Sequence, residues 1–526
     1  MLLPLIVAFQ LQAPLAARAD TVRPRHDALH YDVIIDVPDS GTQIDMTVET
    51  RWRLTSTEPI RLDLDSVFAV TNAWVGTQPR QWGRPPGRVL IPTGGRAGDT
   101  IITRIRYNGS PKDGLIIGRN AYGSRTIFAD NWPDRAHHWL ASQDMPSDKA
   151  TAAFHVTVGA DYQVIANGVL AGVDSLPGGR RRWNYAIAEP VAVYTMVIGV
   201  GKFATVALPP AACVVKCVPG AVITYPEDSA FAIDGPFRRA AEIVDYFSSL
   251  FGPFPYERLS QVESSTIFGG MENSTAIFYD EKAYEKKRLR EGTVAHETAH
   301  QWFGDAVTED DWHHVWLSEG FATYGSALWA EHVGGVKARD EEMRDDAARV
   351  FESPATERPV IDLQATDLMG LLNTNSYPKG AWVLHSLRGL MGDSAFFAGM
   401  REYYRHYRDS TVLSSDFARV MSKAAGQDLG WYFTQSLTQP GYPVLDLSWT
   451  YDGNRLTIDI LQVQKESWGT YRLPGLVLLI DGWPAKVNVA GASTHVVLDH
   501  IAEVPRSIVV DPDGWWLLKA TVRRGK

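Results

Sequence analysis

The chain has 526 residues and a formal net charge of −10 at pH 7, with 45% hydrophobic and 21% charged residues. This length exceeds what one hydrophobic core supports and predicts about three domains. The acidic balance argues against nucleic acid and anionic membrane surfaces as partners, because both are negatively charged. No stretch predicts a membrane span. We expect a monomer.

A short apolar segment opens the chain. Residues 2–15 are mostly apolar, and Ala17-Arg18-Ala19 is a small-x-small cleavage signal. The pattern predicts a secretory signal peptide over residues 1–19, cleaved before Asp20, and therefore a periplasmic or secreted protein. No Lys or Arg precedes the apolar run, which departs from the usual pattern. The alternative is a retained N-terminal segment, disordered or buried.

Residues 20–205 predict an N-terminal β domain. Short runs of alternating residues, such as Tyr31–Val37 and Ile101–Tyr107, are separated by Pro, Gly and Asn. Many short strands without a helical period are typical of sandwich-like sheets. Three prolines between residues 205 and 225 predict a domain boundary there.

The only two cysteines, Cys213 and Cys217, lie close to this predicted boundary. In an extended strand, residues four apart are about 13 Å from each other, which is too far for a disulfide. A bridge therefore requires a tight turn, and the sequence leaves both the bridged and the free state open. A metal site built on cysteine is not expected, since no paired motif occurs elsewhere.

A helical period begins near residue 236 and opens a domain predicted over residues 206–440. Apolar residues recur at steps of three and four from Phe237 to Leu250, and helical patterns continue to about Leu437. Gln439–Pro443 breaks them. Alternating runs after Val444 predict a small β-sandwich over residues 441–526. The predicted fold class is a multidomain α+β chain.

The central motif, His296–His300, reads HETAH, and Glu319 follows after eighteen residues. Residues four apart share one helix face, so His296 and His300 can present imidazole nitrogens to one metal ion. A catalytic zinc has three protein ligands and a position for water. The intervening segment is long enough for a second helix to return Glu319 as the third ligand. The alternative is an ordinary amphipathic helix with two surface histidines; the motif alone already favours zinc over it, and the glutamate at this distance strengthens the zinc interpretation.

Glu297 follows the first histidine and points about 100° away from it round the helix. It therefore lies beside the expected metal rather than on it. A carboxylate in that place can take a proton from the attacking water. Glu297 is the expected general base.

Three further stretches complete a family pattern: Gly269–Asn273 reads GGMEN, Trp316–Ala322 reads WLSEGFA and Tyr377–Gly380 reads YPKG. With HETAH, in this order, they resemble the aminopeptidase N family of zinc metallopeptidases, peptidase family M1. The resemblance implies a saddle-shaped N-terminal β domain, a thermolysin-like catalytic domain and a C-terminal β-sandwich. It also implies one zinc ion per chain and peptide substrates with free N-termini. We expect a short form without the family's C-terminal helical domain.

Residue roles follow from the same resemblance. The GGMEN residues Gly269, Gly270, Met271, Glu272 and Asn273 are expected to bind the substrate. Glu272 is expected to hold the free ammonium of a peptide added as an extra strand.

Two residues outside this motif are placed by the resemblance alone. Tyr377 is expected to donate to the oxyanion that forms on the scissile carbonyl. Asp130 stands where relatives usually carry the Gln of a Thr-Gln-x-Glu loop. It is expected to line the pocket for the first residue and to favour basic or polar side chains.

Three rivals remain at this stage. A thermolysin-type endopeptidase also uses HExxH and a distal glutamate, but the GGMEN stretch argues against it. An epoxide-hydrolysing relative is possible, although no residue points to it. A catalytically dead binding scaffold would be expected to lack ligands or base, whereas all four residues are present.

Overall fold

The structure is a computed structural model that describes residues 14–18, 26–213 and 217–525. The predicted cleavage point before Asp20 and most of the predicted signal peptide lie outside the described residues. None of the described helices has the length and apolar character needed to cross a bilayer.

The described residues form two compact units. The first contains residues 26–213, 217–312 and 404–412, and the second contains residues 14–18, 313–403 and 413–525. The division falls inside the predicted catalytic domain, after Trp312. The predicted boundaries near residues 205 and 440 stay predictions.

The first unit begins with fourteen strands, several of which, such as β2 and β7, alternate buried and more exposed side chains. They are β1 (Asp27–Asp36), β2 (Ile44–Arg53), β3 (Ile60–Asp63), β4 (Ala69–Val75), β5 (Gln78–Pro79), β6 (Arg88–Ile91), β7 (Thr100–Gly109), β8 (Leu115–Arg119), β9 (Arg125–Ala129), β10 (Lys149–Gly159), β11 (Gln163–Ala166), β12 (Val169–Leu176), β13 (Arg180–Ala192) and β14 (Ile198–Gly201). The predicted β-rich N-terminal part is confirmed.

These strands make an eight-stranded sheet in the order β12-β13-β10-β1-β2-β7-β4-β5 and a four-stranded sheet in the order β11-β14-β9-β8. β3 and β6 pair separately. β2 shows how the alternation works, because Ile44, Met46, Val48 and Trp52 face inwards while Asp45 and Arg51 face solvent. Burying one face of each strand fixes its register, since a shift by one residue would turn the apolar set outwards.

A five-stranded sheet follows, in the order β15-β16-β17-β19-β18. Its strands are β15 (Ala204–Ala211), β16 (Val218–Thr224), β17 (Leu259–Ser264), β18 (Gly270–Met271) and β19 (Ala276–Asp280). β16, β17 and β19 are parallel neighbours, and β18 runs antiparallel to β19 at the edge of the sheet.

The proline-containing segment at the predicted domain boundary forms a pair of strands. β15 carries Pro209 and Pro210, and its pairing with β16 shifts register between Leu208 and Ala211. Proline is tolerated here because β15 is an edge strand, so a missing N–H removes no central ladder bond. A disulfide joins Cys213 to Cys217, whose Cα atoms are 3.9 Å apart.

The helices of the first unit are α1 (Ser229–Asp234), α2 (Ala240–Phe251), α3 (Glu281–Glu285) and α4 (Glu291–His300). A short parallel pair, β20 (Val307–Glu309) and β21 (Ser410–Val412), closes the unit. The sequence placed the start of α2 four residues too early, because Gly235 and Pro236 interrupt the apolar period.

The second unit carries six helices, with residues Asp393–Tyr403 of α8 inside it. They are α5 (Trp316–Gly334), α6 (Val336–Glu352), α7 (Gly380–Met391), α8 (Asp393–Tyr407), α9 (Ser414–Ala425) and α10 (Gly430–Thr438). Leu15 is fully buried, and the Ala17 carbonyl accepts a 2.7 Å hydrogen bond from His314. Residues 14–16 contact α9 and α10.

Two glycines bring α5 and α7 into direct backbone contact. A Cβ atom at Gly320 would lie 2.8 Å from the Gly380 Cα atom, closer than side chains pack. Glycine at both positions therefore permits this crossing. Because Glu319 precedes one glycine and the turn containing Tyr377 precedes the other, the contact fixes these two segments relative to each other.

Strands complete the chain: β22 (Val444–Asp452), β23 (Arg455–Gln462), β24 (Leu473–Ile480), β25 (Trp483–Val489), β26 (Ser493–Asp499), β27 (Ile508–Val510) and β28 (Lys519–Arg524). They form a four-stranded and a three-stranded sheet that share one apolar core. Leu447 and Ile458 face Leu476 and Leu478 within it. The predicted C-terminal β-sandwich and the α+β fold class are confirmed.

Candidate active site

Helix α4 carries the two histidines of the HETAH motif. Its first turn contains Glu291, which suits the positive end of the helix dipole. The Nε2 atoms of His296 and His300 approach to 3.1 Å. His300 is buried, and its Nδ1 atom lies 3.2 Å from the Phe303 carbonyl oxygen. A carbonyl can only accept, so Nδ1 holds the proton and the Nε2 lone pair is available to a metal ion.

Two carboxylates stand beside these imidazoles. Ligand atoms of Glu272, Glu297 and His300 all lie within 4.8 Å of one another. Glu272 and Glu297 are each about one-twentieth exposed, at 5% and 6%. Two buried carboxylates at this distance repel each other unless a cation lies between or beside them. The arrangement suits both a metal ion and the ammonium group of a ligand.

Gly270 makes room for the carboxylate of Glu297. A Cβ atom at Gly270 would lie 2.1 Å from the Glu297 Oε1 atom. Any side chain at this position would displace the expected base. Gly269 is exposed, and a Cβ atom there would meet no atom within 4 Å. A side chain could therefore be accommodated at Gly269 but not at Gly270.

β18 offers an edge to an extended ligand. It consists of Gly270 and Met271, and it pairs on one side with Phe278 and Tyr279 of β19. Because it ends the sheet order, its other side has no strand partner among the described residues. An added peptide strand could form backbone hydrogen bonds there. Glu272 follows β18 directly, so its carboxylate lies at the end of that edge.

Gln301 connects α4 to the GGMEN segment, and the sequence analysis missed it. Its Nε2 atom donates to the Glu272 carbonyl oxygen and to Asp305 Oδ2, both at 2.8 Å. Its Oε1 atom accepts from the Thr275 amide at 3.0 Å. Gln301 is fully buried. This side chain holds the backbone of Glu272 at a fixed place relative to α4.

Asp130 has a different environment from the one expected. It is fully buried, and its two oxygens accept hydrogen bonds from the Arg135 guanidinium and from the Ile267 amide, the latter at 3.0 Å. The Trp132 ring packs edge-on against Phe268, with centroids 6.2 Å apart. The charge of Asp130 is therefore offset by Arg135. The expected pocket-lining role stays a prediction, and in this structure Asp130 anchors the segment before Gly269.

Glu319 and Tyr377 belong to the second unit. Glu319 lies in the first turn of α5 and is 5% exposed. Tyr377 is half-buried in a π-helical turn, Asn375–Lys379, which leads into α7. Such turns are frequent at functional sites. The amide of Asn375 fixes the turn by donating to the carbonyl oxygens of Ala355 and Arg358 at 2.7 and 3.0 Å.

A comparison with models of protein families finds a match over the segment that contains the HETAH, WLSEGFA and YPKG motifs. The model described as "Peptidase family M1 domain" matches residues 237–435, which include α4, α5 and the turn containing Tyr377. Residues 237–435 of the chain therefore match peptidase family M1. The family prediction made from the motifs is confirmed.

Curated M1 relatives match over part of their length. "Probable aminopeptidase 2" of Sulfurisphaera tokodaii is 27% identical over 75% of this chain and 52% of its own. Glutamyl aminopeptidase of Bos taurus is 25% identical over 60% of this chain and 34% of its own. The chain thus spans about half, or less, of the curated M1 relatives that it matches.

Solved structures agree with the family. An M1 zinc metallopeptidase from Deinococcus radiodurans superposes with a TM-score of 0.72 and 27% identity, over 81% of this chain and 97% of its own. Legionella pneumophila aminopeptidase A gives a TM-score of 0.84 over 97% of this chain and 61% of its own. At 15% identity, the latter comparison shows the shared fold alone.

Zinc is the cofactor of this M1 chain. The donor set on α4 fits it, because two imidazole Nε2 atoms converge and the Phe303 carbonyl fixes the tautomer of His300. Neutral imidazole is a preferred zinc ligand.

Gly270→Ala should destabilise the protein by about 1–3 kcal/mol, because the new methyl group overlaps the Glu297 carboxylate. Thermal unfolding of the metal-free protein measures the effect. Gly269→Ala is the matched control and should leave the melting temperature unchanged. Equal melting temperatures for the two variants would show that the Gly270–Glu297 contact does not constrain the fold.

Asp130→Ala should loosen the segment that precedes Gly269, because the Ile267 amide loses its acceptor. Hydrogen–deuterium exchange should then be at least several-fold faster in peptides covering residues 265–271. Asp113→Ala is the control, since Asp113 also pairs with Arg135 but does not bond to Ile267. Unchanged exchange in Asp130→Ala would contradict the anchoring role.

Proposed function

We propose that the protein is a zinc-dependent aminopeptidase that removes N-terminal residues from peptides with free N-termini. One observation carries the proposal: the carboxylate of Glu272 lies at the end of an edge strand and within 4.8 Å of the Glu297 and His300 ligand atoms. An ammonium group bound by Glu272 would place the first peptide bond next to the metal. The names of the M1 relatives support the same activity.

Three residues hold the metal in this proposal: His296, His300 and Glu319. The two histidines present converging Nε2 atoms. Glu319 is buried in the first turn of α5, and its spacing from HETAH fits a third ligand. When bound, zinc lowers the pKa of water and polarises a carbonyl group.

In this proposal, Glu297 transfers the proton and Tyr377 stabilises the negative charge on the oxyanion. Glu297 takes a proton from the attacking water and passes it to the leaving amine. Its contact with Gly270 holds the carboxylate beside the edge strand. Tyr377 donates a hydrogen bond to the oxyanion that develops on the scissile carbonyl oxygen. The contact between Gly320 and Gly380 supports this role by fixing the turn that contains Tyr377.

The substrate lies as a short strand beside β18. Gly269, Gly270 and Met271 present their backbone to it, and Asn273 supports the turn after Glu272 with its fully buried side chain. We do not assign a preference for basic first residues, because the charge of Asp130 is already paired with Arg135. We further propose that the enzyme acts as a monomer.

The substitution Glu297→Gln tests the base, and N-acetylation of a test peptide tests the ammonium site. We expect kcat to fall about 100-fold or more in Glu297→Gln with zinc retained. Acetylation should abolish cleavage by the wild-type protein, because Glu272 no longer meets a cation. A panel of aminoacyl substrates, with and without a chelator, measures both effects.

Each rival predicts a different result. A thermolysin-type endopeptidase would cleave the acetylated peptide as well as the free one. A binding scaffold would show no cleavage that depends on metal. Full activity of Glu297→Gln, or of the protein after complete removal of zinc, would contradict the proposal. Zinc content by mass spectrometry confirms that the Gln variant still binds metal.

We also propose that the protein is exported after removal of residues 1–19. The N-terminal apolar pattern and the Cys213–Cys217 disulfide support this, since disulfides persist mainly in oxidising compartments. Intact-mass analysis of protein recovered from the periplasm or the medium should show a chain that begins at Asp20. A retained N-terminus would contradict it and would favour the buried-segment alternative, in which Leu15 stays packed.

A further inference from the structure

The side chain of Lys379 is buried at the end of the π-helical turn that leads into α7. It is 4% exposed, and its Nζ atom makes no hydrogen bond with the described part of the chain. Burial lowers its pKa to about 7, and no acidic group among the described residues opposes that shift. An ammonium group has three donors, and leaving them unpaired in the interior is costly. Such a side chain indicates a partner that the chain itself does not supply.

Lys379 lines a cavity of about 50 Å³ within the second unit. Residues of α7 and α10 also line it, together with the segments that lead into β22, β24 and β28. About 10–15 Å³ is enough for one water molecule, so this cavity has room for a small ion and a water molecule. A partner for the Lys379 amine therefore has a place to bind.

Other polar side chains of this cavity are already hydrogen-bonded within the chain. The hydroxyl groups of Tyr432 and Tyr471 donate to main-chain carbonyl oxygens, each at 2.6 Å. The side-chain amide of Gln435 bonds at both ends to the main chain of Arg472, at 2.7 and 3.2 Å. These three side chains are satisfied by the fold, whereas the amine of Lys379 is not.

The charge of the cavity points to an anion. The described residues that line it include no Asp, Glu, His or Arg. Burial raises the pKa of Tyr432 and of Tyr471, so both hydroxyl groups stay neutral. Water could accept hydrogen bonds from the Lys379 ammonium group but would not offset its charge. A small anion would do both, and the hydroxyl groups of Ser386 and Ser436, which also line the cavity, can turn their protons towards it.

We propose that Lys379, with the hydroxyl groups of Ser386 and Ser436, binds one small monovalent anion of the size of chloride in this cavity. The anion joins the end of the turn that contains Tyr377 to α7 and α10, and so stabilises the second unit. This inference does not depend on the proposed peptidase activity, because the site needs neither zinc nor substrate.

Equilibrium dialysis against radiolabelled chloride tests the site directly. The zinc-loaded protein is dialysed in a sodium gluconate buffer, since gluconate has the same charge but is too large for the cavity. We expect saturable binding of one chloride per chain, and at least 10-fold weaker binding in Lys379→Met, which keeps the length of the side chain without its charge. Lys337→Met is the matched control, because Lys337 is 86% exposed on α6, and it should bind chloride like the wild-type protein.

Thermal unfolding gives a second readout. Melting temperatures are compared in sodium chloride and in sodium gluconate at equal ionic strength. The difference between the two salts should favour chloride by a few degrees more in the wild-type protein and in Lys337→Met than in Lys379→Met. Ser436→Ala removes one neutral donor and serves if Lys379→Met does not fold; it should weaken chloride binding several-fold.

The pH dependence separates this site from a general effect of salt. Only the protonated amine attracts an anion, and burial lowers the pKa of Lys379 to about 7. Chloride affinity of the wild-type protein should therefore fall about 10-fold or more between about pH 6 and pH 9. Water alone in the cavity would give no saturable chloride binding, and this result would overturn the proposal. Equal chloride affinity in the wild-type protein and in the folded variants of Lys379 and Ser436 would also overturn it.

Discussion

The approach of two imidazole nitrogens on α4 is the constraint on which the rest of the site depends. His296 and His300 can meet at 3.1 Å only because they lie one helical turn apart and because a carbonyl holds the His300 proton on the other side of the ring. The positions of Gly270 and Glu272 are then set by their contacts with α4 and with the residue that ends it. Gly270 is small because Glu297 occupies the space beside it, and Gln301 fixes Glu272 from the end of the same helix.

The two units place their residues by different means. In the first, Gln301 connects the GGMEN segment to α4 by side-chain hydrogen bonds, and Asp130 anchors the residues before that segment. In the second, backbone contact between Gly320 and Gly380 fixes α5 against α7, and the side-chain amide of Asn375 holds the turn before α7. A buried amide that makes three hydrogen bonds is sensitive to substitution by any other residue. A glycine contact is sensitive only to size.

Elements with a clear period were predictable from the sequence. The helical pattern ending at His300 and resuming at Trp316, and the alternation of the N- and C-terminal strands, follow directly from which positions are apolar. Pro209 and Pro210 did not reveal β15, because a proline signals a loop or an edge strand equally well and only the pairing of β15 decides between them. Gln301 carried no signal because two of its three partners are backbone atoms more than 25 residues away in the sequence. The ion pair between Asp130 and Arg135 was likewise not predicted, because it is visible only in three dimensions.

β18 is only two residues long. An edge this short offers too few backbone groups to recruit a strand from another protein molecule, so it carries little risk of aggregation. It is also too short to form backbone hydrogen bonds along a long stretch of a bound peptide. Recognition along the backbone would end within a residue or two of the terminus, which leaves the remainder of a substrate free to vary in length and composition.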